Sequence, residues 1–437
     1  MPHSTEDLGF PQEIWLYIFR LATSTTRGWH SPITKYTPFE PVRRTTVEKK
    51  KRSFETKRAI VLVCKAWRFL AMELMYEEIR IRHSTRGLLE GLEKSGQELG
   101  VDGYARWVRR IVIDPVILDF DVLNPVDIPP ILARCSSAEM LIRPITAFTN
   151  NPPLHRSQSA DFPILLTLQR IDWWLASAEP NGPGRGNPWS SDFLSQVIQN
   201  SPNLRYLTIS GNRVSQFFRS PDANEHPPHV LSLPSLRTLR VDFDSRDPLF
   251  AGTVFECPNL DCFIIGAPIS VCQPLLYTCG AQLKVVEISR RRYSLFELED
   301  TRMMVKPVLD YCPNLEELYL YIDTPLLPTP VHLDIAHPKL KYVGLRAAGA
   351  TIFWGFVDLY PELFRGSSFP ALKCVGIDPT EWATLNTPLI GRLPGLEEDL
   401  HQWGCTLKFT TSSGFLWTSQ LYPKGLRLAR QEEFVTG

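Results

Sequence analysis

The residues that could ligate metal or act as nucleophiles are spread thinly along this chain. Its nine cysteines, at 64, 135, 257, 262, 272, 279, 312, 374 and 405, form no C-x-x-C pair, the usual building block of a thiolate zinc site. Cys257 and Cys262 stand close together, but no second pair or histidine cluster follows them. An odd count in a chain of 437 residues argues against a disulfide framework, so buried, reduced thiols are expected. The histidines are dispersed, and His226-Pro227-Pro228-His229 reads as a turn in a proline-rich loop rather than a metal pair. Gly182-Pro183-Gly184-Arg185-Gly186 lacks the spacing of a phosphate-binding or dinucleotide loop and reads as a flexible connection. No G-x-S-x-G elbow, H-E-x-x-H helix or kinase signature is present. Catalytic groups, metals and cofactors are therefore not expected. The chemistry that remains is binding.

Charge narrows the partners. Lys+Arg and Asp+Glu both number 47, so no global field attracts nucleic acid or an anionic membrane. The longest apolar runs, such as Ala59 to Cys64, fall far short of the roughly 18 residues a membrane span requires. Met1 to Asp7 has neither the basic start nor the apolar stretch of a signal peptide. A soluble protein of the cytoplasm and/or nucleus is expected. The one local excess is Arg43, Arg44, Lys49, Lys50, Lys51, Arg52, Lys57 and Arg58 against Glu48 and Glu55. Lys49 to Arg52 could be a nuclear address or a phosphate contact, or simply part of a solvated loop.

The elements that must carry binding repeat. Pro202-Asn203-Leu204-Arg205-Tyr206-Leu207-Thr208-Ile209 is matched by Pro234-Ser235-Leu236-Arg237-Thr238-Leu239-Arg240-Val241. The same L-x-x-L-x-L frame returns behind a proline at Leu260/Phe263/Ile265, Leu315/Leu318/Leu320, Leu340/Val343/Leu345 and Leu372/Val375/Ile377, and without one at Leu283/Val286/Ile288. Weaker copies stand at Val108/Ile111/Ile113, Leu168/Ile171/Trp173 and Ala138/Leu141. The mean spacing, about 29 residues, is at the upper end of the leucine-rich-repeat range. The frame describes a short strand with alternate side chains inward, and the proline helps to end the helix before it. Asn212 alone occupies the place three residues after a frame; its equivalents are Asp244, Pro268, Arg291, Asp323, Ala348 and Thr380. An irregular array without an asparagine ladder is expected.

Helices fit the gaps. Ser191-Asp192 can cap one whose Phe193, Leu194, Val197 and Ile198 share a face. Met303, Met304, Val308, Leu309 and Tyr311 suggest another, with Pro307 kinking it or delaying its start. Strand and helix alternating in this way predict stacked β-α units with parallel strands. Asn150 to Asp161 and Glu179 to Pro188 read as surface loops. A short helix through Leu400 and Trp403 and a strand at Thr406 to Thr410 would close the open end.

The N-terminal part differs in kind. Pro11 and Glu13 suit a first helical turn, and Ile14, Ile18 and Leu21 follow with Trp15, Phe19 and Ala22 widening the apolar stripe. A second amphipathic stretch runs from Ile60 through Val63, Cys64, Trp67, Leu70, Ala71 and Leu74. Two such short helices bury little against each other and need a partner surface.

These residues carry a family resemblance. Phe10-Pro11-Gln12-Glu13-Ile14-Trp15-Leu16-Tyr17-Ile18-Phe19, followed by Leu62-Val63-Cys64-Lys65-Ala66-Trp67-Arg68-Phe69-Leu70-Ala71, resembles the F-box. Glu73-Leu74-Met75-Tyr76-Glu77-Glu78-Ile79-Arg80-Ile81 is similar to the run that follows it in many fungal F-box proteins. Phe10 stands where leucine is usual, and the residues from Thr23 to Ile60 separate the two halves more widely than in a compact F-box, leaving the middle of three helices unplaced.

The resemblance implies an α/β chain. Residues 1–82 would form a small all-α F-box-like module with a basic insertion at about 24–58. Residues 83–395 would form an irregular leucine-rich-repeat solenoid, a horseshoe with parallel strands on its concave face, and 396–437 a cap. It also implies a non-catalytic receptor subunit of a Skp–cullin–F-box ubiquitin ligase. Phe10, Pro11, Ile14, Ile18, Leu62, Val63, Cys64 and Trp67 would dock the Skp adaptor, and through it a cullin scaffold. Individual residues among them, Trp67 above all, could instead serve as internal core. The outward strand residues Arg205, Tyr206, Arg237, Arg240, Tyr319 and Tyr342 would bind a target protein, and their basic lean hints at an acidic or phosphorylated one. The rival expectation is a leucine-rich scaffold whose N-terminal helices merely cap the array; nucleic-acid binding through the basic insertion ranks third.

Overall fold

The computed structural model describes residues 10–23, 33–40, 47–81, 85–100, 102–113, 128–144, 162–175, 191–211, 229–243, 253–289, 301–322, 337–359, 369–378 and 392–409. In chain order the elements are α1 (Gln12–Thr23), α2 (Val47–Val63), α3 (Lys65–Tyr76), β1 (Glu78–Ile81), α4 (Arg86–Leu99), β2 (Arg110–Ile113), α5 (Ile128–Arg134), β3 (Met140–Arg143), β4 (Arg170–Leu175), α6 (Ser191–Gln199) and β5 (Tyr206–Gly211). Then come β6 (His229–Ser232), β7 (Thr238–Phe243), β8 (Thr253–Glu256), β9 (Cys262–Ile265), α7 (Ile269–Cys279), β10 (Val285–Ile288), α8 (Thr301–Tyr311), β11 (Glu317–Ile322), β12 (Tyr342–Ala347), α9 (Ala350–Leu359), β13 (Cys374–Asp378), α10 (Leu393–Gln402) and β14 (Thr406–Phe409). The architecture is α/β with parallel strands.

All ten frames land on strands, one each on β2, β3, β4, β5, β7, β9, β10, β11, β12 and β13. The residue that opens each frame, from Val108 to Leu372, is buried without exception. The proline has a more specific role than ending a helix. Leu204, Leu236, Leu315 and Leu372 donate their N–H groups to the carbonyls of Ser201, Leu233, Cys312 and Phe369 at 3.0–3.1 Å. Each closes a β-turn with proline in its second position, where the fixed φ is already correct. Ahead of Leu236 the chain comes from strand β6, so no helix is there to be ended. An asparagine brace does exist, at a different place from the one expected. Asn203 Nδ2 donates to Leu166 O at 2.7 Å and Asn314 Nδ2 to Ala281 O at 2.6 Å, each tying a turn to the turn before it.

The chain divides into two compact units, Met1–Lys35 with Pro41–Leu236 and Ala251–Cys257, and Tyr36–Glu40 with Arg237–Phe250 and Pro258–Gly437. In the first, β1 to β5 form a parallel ladder in sequence order, and β6 pairs with β8 separately. The ladder starts inside the N-terminal segment: Ile79 and Ile81 of β1 align with Ile111 and Ile113 of β2. Helix α6 buries Phe193, Leu194, Val197 and Ile198, the face expected of it.

In the second unit β7, β9, β10, β11, β12, β13 and β14 pair in that order, all parallel. Leu239, Phe263, Val286, Leu318, Val343 and Val375 form one inward row, and Val241, Ile265, Ile288, Leu320, Leu345 and Ile377 the next. All twelve are buried. Helix α8 starts at Thr301 and carries Pro307 inside it. Helix α10 and strand β14 close the ladder near the positions the sequence indicates.

Two expectations for the N-terminal part are revised. The basic stretch Lys49 to Arg52 is part of helix α2, not of a loop. This helix occupies the stretch that the sequence left unplaced, and its polar sequence hides it; among its described side chains Lys57 and Ile60 are buried. The apolar stretch from Ile60 to Leu74 is not one helix. It breaks at Cys64, whose extended backbone (φ −158, ψ 169) caps α3, with the Trp67 N–H 3.4 Å from its sulfur. Asn150 to Asp161, Glu179 to Pro188, Asn212 and His226 lie outside the described residues, whereas His229 opens β6.

Candidate functional site

Helices α1, α2 and α3 form a small core from Phe19, Ile60, Leu70, Ala71 and Leu74, with Trp15, Leu16, Val61 and Trp67 packed against it. The Trp67 ring lies 5.0 Å from that of Trp15 and 4.9 Å from that of Phe19. Polar ties fix the three helices. Ser53 Oγ donates to Thr23 O, Lys57 Nζ to Leu74 O at 2.6 Å, and Arg20 pairs with Glu73 at 2.7 Å. Burial lowers the pKa of Lys57, while Glu77 and Glu78 beside it pull the other way.

The core is therefore complete, and α1 still has apolar residues to spare. Ile14, Ile18 and Leu21 recur at i, i+4 and i+7 on a second face, exposed by 45%, 41% and 54%. Phe10 and Pro11 precede them, also exposed. At the junction of α2 and α3, Leu62 is 73% exposed, Val63 60%, and Cys64 is the only exposed cysteine among the nine. Seven of the eight expected docking residues are thus open. Trp67 is the half-buried one and belongs partly to the core. Tyr17 and Phe69 are equally open and were not expected. Among the described residues, nine of the fourteen exposed large hydrophobics lie between Phe10 and Phe69. Such a concentration is uncommon on a surface that meets only water.

The outward strand residues behave differently. Arg205 and Arg237 are exposed and Tyr342 is half-buried, but Tyr206, Arg240 and Tyr319 are buried. Arg170 lies over the Tyr206 ring at 3.9 Å. In the second unit one outward row runs Arg240, Ile264, Glu287, Tyr319, Gly344, Gly376. The two glycines are there for room. A methyl group on Gly344 would overlap the Tyr319 ring, and one on Gly376 the Tyr342 hydroxyl. Most of the basic residues on this face meet carboxylates. Arg240 faces Asp242 at 3.6 Å, Arg346 faces Asp378 at 3.6 Å, Lys341 meets Glu316 at 2.7 Å, and Arg237 and Lys284 flank Asp261 at 3.5 Å.

What covers this face is the chain's own Tyr36–Glu40. Phe39 and Tyr36 set their rings edge-on to Tyr319, each at a centroid distance of 5.8 Å. Glu287, fully buried, accepts from the Tyr36 hydroxyl at 2.7 Å and from the Phe39 N–H at 2.8 Å through one oxygen. Arg240 donates to the Glu40 carbonyl and Arg346 to that of Phe39. Burial raises the pKa of Glu287, opposed by Arg240 and by its two donors; burial and the nearby carboxylate raise that of the Tyr36 phenol, which stays a donor. Phe39 has φ 56, the only non-glycine residue with positive φ among those described, at a cost of about 1–2 kcal/mol for a bulky side chain.

Among the described residues no group of three or more His, Cys, Asp or Glu could hold a metal ion, and no helix is long and apolar enough to cross a membrane. Burial pushes the thiols of Cys135 and Cys312 up to about 12, which leaves them poor nucleophiles. The chain matches no model of a known protein family and no curated protein sequence.

Proposed function

We propose that this protein is the substrate-receptor subunit of a Skp–cullin–F-box ubiquitin ligase. Helices α1–α3 are its F-box-like module, and the parallel β-α array is a leucine-rich-repeat-like horseshoe that binds the target protein. The observation that carries the reading is the second apolar face on helices whose core is already full. Phe10, Ile14, Ile18, Leu62 and Val63 stay in water although Phe19, Leu70 and Leu74 beside them are sealed. A module that only capped the array would bury that face, which disfavours the scaffold reading. The receptor carries no catalytic group and needs no cofactor; it acts in the cytoplasm, the nucleus or both.

The test is capture of a purified Skp adaptor by the full-length chain, alongside Ile14→Asp and Ile18→Asp. Loss of a central anchor in such a contact weakens binding by more than about 2 kcal/mol, roughly thirtyfold. Both variants should keep the wild-type melting temperature, because both sites are exposed. Cys64 gives a second readout: it should alkylate readily in the free protein and be shielded once the adaptor is bound. Folded wild-type protein that does not retain the adaptor, or variants that retain it equally well, would overturn the proposal.

A further inference from the structure

The Tyr36–Glu40 segment is held as a peptide ligand is held, by side chains that read its backbone. Glu287 takes the Phe39 N–H, while Arg240 and Arg346 donate to the carbonyls of Glu40 and Phe39. Its rings sit among Tyr319, Tyr321 and Tyr342. Main-chain hydrogen bonds supply affinity in this kind of recognition, and pockets for alternate side chains supply selectivity.

The fit is imperfect in two ways. Phe39 is forced into a left-handed backbone that its side chain disfavours. Glu287 uses one oxygen for both donors, and its Oε1 accepts no hydrogen bond from any described residue, although the side chain is fully buried. A buried acceptor without a donor is a standing penalty. An extended ligand that brought a further donor to Oε1 without the strained turn would bind this groove better, residue for residue, than the segment now in it.

We infer that Tyr36–Glu40 is a built-in plug in a peptide-binding groove on the outward face of β7 and β9–β12. The groove's other ligand would be an extended segment of a partner protein with two aromatic residues spaced as Tyr36 and Phe39 are. The buried carboxylate at its centre selects neutral donors and rejects a phosphate there. The inference rests on the proposed reading only in taking this face as the recognition surface; it does not depend on the adaptor.

The probe is a fluorescent peptide of residues 33–40, titrated into the full-length wild-type protein and into the full-length Tyr36→Ala/Phe39→Ala variant. A tethered segment competes at an effective concentration near millimolar, so the variant should bind the peptide at least about tenfold more tightly than wild type. A peptide with alanine at both aromatic positions should bind neither. Equal binding to both proteins, or none to a folded variant, would overturn the inference. Hydrogen exchange at the Phe39 amide of wild type needs no substitution: it should be slow alone and faster under saturating peptide, and an unchanged rate would likewise overturn it. Adaptor capture by the same variant should be normal, so a failure of the adaptor experiment leaves this result standing.

Discussion

The apolar face of α1–α3 and the outward face of β7 and β9–β13 are both candidate binding surfaces, and they solve opposite problems. On the helices, the core-facing residues Phe19, Leu70 and Leu74 satisfy one another, so Ile14, Ile18, Leu62 and Val63 are surplus apolar area in water. On the strands, alternate side chains are committed to the inward leucine rows, and the outward row is a mixture of rings, paired charges and two glycines. That face is costly to leave open because its polar groups are partly desolvated, and Tyr36–Glu40 covers it. A bare apolar surface waits for a partner with an apolar groove. A covered polar-aromatic surface presents specific donors and acceptors and has to exchange one ligand for another.

The largest effect that would test this contrast lies within a single helix. Phe19→Ala should cost about 3–5 kcal/mol of stability, as emptying a sealed aromatic site does. Ile18→Ala, one residue away, should change stability by less than about 0.5 kcal/mol. Chemical denaturation of both variants reads the difference. Equal losses would mean that Ile18 belongs to the core and that the helices carry no free face.

A smaller effect tests the strand face. Gly344→Ala places a methyl group against the Tyr319 ring, which also packs on Tyr36 and Phe39, and should cost about 1–3 kcal/mol. Gly376→Ala meets the hydroxyl end of Tyr342, its oxygen and Cζ, on a half-buried side chain rather than a buried one, and should cost less. Gly344→Ala combined with Tyr319→Ala should lose less than the sum of the two single losses, since contacting sites are not additive. Purely additive losses would show that the two glycines do not serve the rings.

The two faces were also unequally legible in the sequence. The leucine rows could be read from residue order because a strand repeats every two residues and each frame repeats on its neighbour; even the weak copies at Val108 and Ala138 sit on strands. Tyr76, Ile79 and Ile81 fit the same frame and mark β1, a signal masked by their place behind the F-box-like run. Ile14, Ile18, Leu62 and Val63 were legible because their spacing and type exceed what two short helices can bury. Helix α2 was not, since Val47 to Arg58 offers charge without an apolar period. The cover on the strand face was illegible in principle. Phe39 meets a carboxylate 248 residues away, and nothing local to Tyr36–Glu40 announces it. Gly344 and Gly376 did leave a trace, at equivalent outward positions of successive frames, each able to make room for a tyrosine.

The gentlest test concerns the helical module and turns on Lys57. Its ammonium is buried at the C-terminal turn of α3, where it donates to the Leu74 carbonyl, and burial lowers its pKa from the ordinary 10.5. Between the lowered native value and 10.5 the unfolded chain therefore binds more protons than the native one, so this group's contribution to stability rises with pH across that window. Below the native value both states are protonated and its contribution is flat. Lys57→Met removes the titration and keeps most of the side-chain length. Denaturation midpoints of the two proteins from neutral pH to about 11 should then diverge, with wild type gaining relative to the variant as pH rises. Tyr76 and the other alkaline groups titrate in both proteins and cancel in the difference. Parallel curves would mean that Lys57 is solvated, and that the three helices pack less tightly around it than the contact with Leu74 implies.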